Sequence, residues 1–205
     1  MLTTEQFADM LGLGREQNGV EFKGPGPKTD KNLLAKVIRA LLGMANRRDG
    51  GWIIVGVNEL KLEIDPVGLS DNDLLTWSYD AFGDNVAVYA DPGVGFDLQT
   101  IIFGNKKFLA IRVTEFEDVP VICKRDYNVG NKVILREGAL YVRSRRKPET
   151  TEVRSLSDMR DLLELATEKA LRRFISKARA VGFSTIEGAD LADENLFDEQ
   201  LGDLR

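Results

Sequence analysis

The chain has 205 residues, 43% of them apolar and 30% charged, with a formal net charge of −5, a single cysteine and no histidine. That is the composition of one ordinary globular domain with some extra length, and it excludes an internal disulfide, a cysteine–histidine zinc site and every mechanism that uses imidazole as base or metal ligand. Any catalysis has to rest on carboxylates, lysine, hydroxyls or a metal held by oxygen.

The negative charge is unevenly placed. Between Glu187 and Arg205 there are seven acids and one base, which leaves everything before Glu187 close to neutral. The acidic average therefore does not argue against a polyanionic partner, because the placement of basic residues matters more than their sum. No stretch approaches the roughly 18 consecutive apolar residues of a membrane span, and the first residues lack the basic and apolar regions of a signal peptide. A cytoplasmic protein without membrane contact is expected.

In chain order, residues 4 to 12 read as a short helix behind Thr3 or Thr4 as N-cap, closed by Gly12 and Gly14. Glu21-Phe22-Lys23 opens a strand, and Gly24-Pro25-Gly26-Pro27-Lys28 is a loop. Thr29 or Asp30 caps a helix with Leu33, Leu34, Val37, Ile38, Leu41, Leu42 and Ala45 at the i, i+3, i+4, i+7 spacing, ending near Asn46. Asp49-Gly50-Gly51 is a turn, and the apolar run from Trp52 to Val57 reads as a strand covered on both faces. Residues 60 to 68 are a loop or hairpin, and Ser70 to Asp73 cap a helix reaching about Phe82. Strands are then expected at VAVYA, DLQTIIFG, KFLAIRVTEF, VPVICKR and ALYVRSRR. Ser155 to about Gly182 reads as a helix with Leu156, Met159, Leu162, Leu163, Ala166, Leu171, Phe174 and Ile175 on its apolar side. This order predicts a mixed α/β fold with helices early and an antiparallel meander later.

Three groups of residues could carry chemistry. Glu16, Glu21 and Glu59 are acids that a hard cation such as Mg²⁺ or Mn²⁺ would accept as ligands, and such an ion assists phosphodiester cleavage; equally, they are surface acids or partners of Lys23 and Arg15. The glycines of Asp49-Gly50-Gly51 allow close approach of a backbone or phosphate, or simply make the turn. In the basic strand, Tyr141, Arg143 and Arg145 share one face at a period of 2, followed by Arg146 and Lys147, with Arg47 and Arg48 beside the glycines. That face suits a phosphate backbone or a stacked base; the alternative is a charged edge that discourages aggregation.

Taken together, Glu16, Glu21-Phe22-Lys23, Ala45-Asn46, Gly50-Gly51, Gly56-Val57-Asn58-Glu59 and Tyr141-Val142-Arg143 resemble, in order and spacing, the pattern of the Schlafen-type AlbA-like domain family over roughly residues 10 to 155. The resemblance implies a mixed-sheet lobe that meets nucleic acid, RNA or DNA. In nuclease members of the family, acids at these positions form a metal-dependent site that cuts transfer or ribosomal RNA. Carried onto this chain, the catalytic set is Glu16, Glu21, Glu59 and Lys23, with Glu16, Glu21 and Glu59 as ligands of Mg or Mn. Asn58-Glu59 stands where the family has an Asp pair, and an extra residue lies between Asn46 and Gly50. The resemblance leaves open a metal-dependent endoribonuclease, a binding module that does not cut, and a subunit of a bacterial defence or toxin assembly.

The expected organisation is an AlbA-like domain at 1–155, a helix at 156–182 packed on it, and an acidic tail at 183–205. Longer members of the family pair two such lobes, so a homodimer is expected. Leu191, Leu196, Phe197, Leu201 and Leu204 among the tail's acids mark a segment able to dock on a protein partner.

Overall fold

A computed structural model of the chain describes residues 1–13, 18–59, 64–144 and 148–181. The chain divides into two compact units, Met1–Leu165 and Ala166–Arg205.

The first unit begins with α1 (Thr4–Gly12), whose N-cap Thr3 forms a capping box with Gln6, so two of the backbone groups that a helix start leaves open are paired reciprocally. The next elements are β1 (Val20–Lys23), α2 (Lys31–Ala45), β2 (Gly51–Val55), β3 (Val57–Glu59) and β4 (Ile64–Pro66). Two helices follow, α3 (Asp71–Leu75) and α4 (Tyr79–Tyr89), and then β5 (Ala90–Asp91), β6 (Phe96–Phe103) and β7 (Lys106–Val113). The last elements are β8 (Ile122–Cys123), β9 (Tyr127–Val129), β10 (Lys132–Leu135), β11 (Tyr141–Arg143), β12 (Thr150–Glu152) and α5 (Leu156–Ala180).

The main sheet has the order β1-β2-β7-β6, with β1 parallel to β2 and the other pairs antiparallel. Its faces follow from the period of 2 along each strand. Val20 and Phe22 join Phe7 of α1, Ile54, Ile101 and Phe108 in one apolar cluster. Glu21 and Lys23 alternate with them and so face the opposite side, where α2 packs against β1, β2 and β7. α2 also touches β9, β10, β11 and β12. It is therefore enclosed between the sheet and the small hairpins, and eleven of its fifteen residues are buried. Asp30 caps it by accepting from the amides of Asn32 and Leu33.

The mixed α/β class expected from the sequence is what the chain adopts, with differences in detail. The Trp52–Val57 run is two strands, broken at Gly56, where φ is +111°. VAVYA is not a strand: most of it closes α4, and only Ala90 continues into β5. A five-residue apolar run cannot by itself separate a strand from a buried helix turn. Here Ser78 caps the helix, and Phe82 and Val86, four residues apart, bury the same face. The helix expected from Ser70 to Phe82 is likewise two helices with separate caps, Ser70 and Ser78. Of VPVICKR only Ile122 and Cys123 form a strand, and among the described residues of ALYVRSRR only Tyr141–Arg143 do; the described later part forms two-stranded pairs, with a single bridge between Ile122 and Leu140, rather than a continuous meander. Along α5, Leu162 of the expected apolar side is buried, as is Leu165, which that side did not include, whereas Leu156, Leu163, Leu171 and Phe174 of the expected side are exposed. No described helix is long and apolar enough to cross a membrane.

Candidate nucleic-acid interface

β1 carries Glu21 and Lys23 on the α2 side of the sheet, and β11 brings Arg143 to the same place from 122 residues further along the chain. Glu21 Oε2 accepts from Arg143 Nη1 at 2.5 Å and from Thr150 Oγ1 at 2.8 Å, while Oε1 accepts from Lys23 Nζ at 2.5 Å. Arg143 also donates to the carbonyls of Val20 and Asn18, at 3.1 and 3.3 Å. Its side chain is only 1% exposed and that of Glu21 9%. A buried carboxylate with both oxygens bonded, two of the bonds coming from cations, meets the condition under which an internal ion pair is tolerated. The group ties β1 to β11 and β12.

This placement corrects one expectation. Tyr141 and Arg143 do share a face of their strand, but that face is inside the protein rather than in solvent. Tyr141 is 1% exposed, accepts the Arg136 amide on its hydroxyl, and lies under the Arg39 guanidinium at 5.4 Å. Burial pushes its phenol pKa up, so the hydroxyl stays neutral. The strand is covered because β12 pairs with it and α2 packs on it.

Asn46, at the C-cap of α2, is an interior staple. Its amide nitrogen donates to the carbonyls of Val121 and Tyr141, and its Oδ1 accepts from the Val121 amide. The following turn is structural as well. Asp49 and Gly50 both have φ near +60°, and a side chain at Gly50 would overlap the Val113 carbonyl, so the position requires glycine. Arg47 Nη1 donates to the carbonyls of Arg48 and Gly50 at 2.8 and 2.6 Å. Burial lowers the Arg47 pKa, with nearby Arg143 and Arg112 adding to it and Asp49 and Glu115 opposing. A pocket of about 240 Å³ joins Arg47, Arg48 and Arg143 to Asp158, Asp161 and Glu164 of α5. Acids facing the arginines there make the pocket mixed in sign rather than a cationic patch.

Around the other end of Lys23 lies an open groove of about 580 Å³, lined by Lys23, Asp30, Asn32, Lys36, Asn58 and Glu59 among others. Asn32 and Lys36 stand one turn apart on the exposed start of α2, and Asn58 and Glu59 come from β3. The side chains of Asn32, Lys36, Asn58 and Glu59 make no hydrogen bond or ion pair among the described residues. Asn32 and Lys36 were not singled out from the sequence; both are surface positions of a strongly amphipathic helix, and only the fold places them opposite β3.

Of the remaining candidates, Glu16, Arg145, Arg146 and Lys147, together with the tail from residue 183, lie outside the described residues. Glu59 stands exposed in the groove, whereas Glu21 is engaged by Arg143, Lys23 and Thr150. Among the described residues no three of His, Cys, Asp or Glu form a set able to hold a metal ion; Glu16, the third acid of the expected Mg or Mn set, lies outside those residues.

Comparison with known proteins gives three findings. Among solved structures, the N-terminal domain of a DNA helicase RecG-related protein from Nitrosomonas europaea is similar at 22% identity and a TM-score of 0.47, over 67% of this chain and 90% of that one. The DIP2311 protein from Corynebacterium diphtheriae is similar at 20% identity and a TM-score of 0.42, over 63% of this chain, which spans 25% of that protein's length. None of the curated proteins matches. The family model described as Schlafen, AlbA_2 matches residues 16–150, and the chain belongs to that family.

Proposed function

We propose that the domain binds nucleic acid, RNA or DNA, and that the backbone lies in the groove between the start of α2 and β3. The observation that carries this reading is the contrast in engagement around Lys23. On the inner side every donor is bonded within the fold, while in the groove Lys36, Asn32 and Asn58 have donors with no partner among the described residues. A lysine and two amides at an open surface match the contacts that dominate nucleic-acid interfaces, to phosphate and sugar oxygens. Membership of the Schlafen, AlbA_2 family supports a nucleic-acid-binding domain.

The test is a gel-shift assay of the purified protein on labelled transfer RNA and on duplex DNA, with EDTA and with Mn²⁺. Retarded, intact nucleic acid in EDTA is expected, weakening steeply as salt rises. Absence of retardation for both substrates would overturn the reading. Cutting that requires Mn²⁺ and is lost in Glu59→Gln would replace it with the metal-dependent endoribonuclease.

A further inference from the structure

The second half of α5 presents a face that the described residues leave uncovered. Leu171 is 56% exposed, Phe174 66% and Val181 73%. Their spacing, with Ala178, places them on one stripe of the helix. The stripe lies in a basic setting, since residues 166–181 contain five bases, Lys169, Arg172, Arg173, Lys177 and Arg179, against the single acid Glu168. Arg172 is paired with Glu168 within the helix, whereas Lys177 and Arg179 have no partner among the described residues. Lys177, after Phe174 and one turn before Val181, borders the stripe, and two copies of so basic a segment would repel when laid side by side, so its occupant should be acidic and apolar at once.

The chain contains such a segment six residues beyond Val181. Residues 187–205 carry seven acids and one base, with Leu191, Leu196, Phe197, Leu201 and Leu204 interspersed. We propose that this segment docks along the Leu171, Phe174 and Val181 stripe of the same chain, its leucines and Phe197 covering the apolar residues and its acids facing Lys177 and Arg179. A connection this short gives the segment an effective concentration on the order of millimolar at its own helix, far above that of any second copy in dilute solution.

The test is amide hydrogen exchange over residues 171–181 of the full chain, comparing wild type with Phe197→Asp. Phe197 lies outside the measured helix, so a change there reports contact. The proposal expects exchange in 171–181 to rise roughly tenfold in the variant and protection in wild type to persist on about a hundredfold dilution. It further expects Lys177→Glu to loosen the helix and Asp198→Lys with Glu199→Lys to restore it in part. Equal exchange in wild type and Phe197→Asp would overturn the proposal. Protection that falls on dilution would also overturn it, assigning the stripe to a second copy or another protein.

Discussion

Two regions that meet at Lys23 use similar side chains in opposite ways. On the inner side Glu21, Arg143, Thr150 and Lys23 form a closed set of hydrogen bonds, with Arg143 almost fully buried. In the groove Lys36, Asn32, Asn58 and Glu59 stand at the surface, unpaired among the described residues. The first set holds the fold together; the second is available to a ligand. Charge alone does not distinguish the two, because both mix cations with carboxylates. Engagement does, and it makes the two regions separable by mutation.

The largest effect is expected from Arg143→Met. It leaves Glu21 buried with Lys23 and Thr150 as its remaining partners, and loss of one member of a buried pair costs about 3–5 kcal/mol. The midpoint of urea unfolding should fall accordingly; an unchanged midpoint would mean that the inner set does not hold β1 to β11. A loss of similar size is expected for Glu21→Gln, which keeps the shape and some of the hydrogen bonds but leaves the buried Arg143 without its counter-charge. If the double variant lost as much as the sum of the two single variants, the residues would not be coupled and the inner set would not be one unit.

The sequence shows the two regions unequally. α2 was legible because Leu33, Leu34, Val37, Ile38, Leu41 and Leu42 repeat at helical spacing behind a capping Asp30. Glu21 and Lys23 are legible as possible ion-pair partners within one strand. Their partner is not, since an ion pair spanning 122 residues leaves no local pattern. The sequence places Arg143 in solvent because charged residues are rarely buried unless paired, and its cover comes from Thr150 in β12, a short strand without apolar alternation. The alternation places Tyr141 and Arg143 together correctly, but neither side of the strand is in solvent, because Val142 is buried as well. The groove was half legible, as Asn58 and Glu59 stood out whereas Asn32 and Lys36 looked like any polar face of a helix.

The smallest effect on stability, and the most informative effect on binding, belongs to Lys36→Ala. An exposed lysine with no partner among the described residues should change unfolding by less than about 0.5 kcal/mol. The direct measurement is the dependence of binding on salt, taken for wild type and Lys36→Ala on the same labelled nucleic acid in EDTA. With Lys36 on a phosphate, the variant binds more weakly at every salt concentration and the slope of log K against log salt becomes shallower by about one unit. Equal affinity and equal slope for the two proteins, with wild type still binding, would contradict the placement of the backbone in this groove.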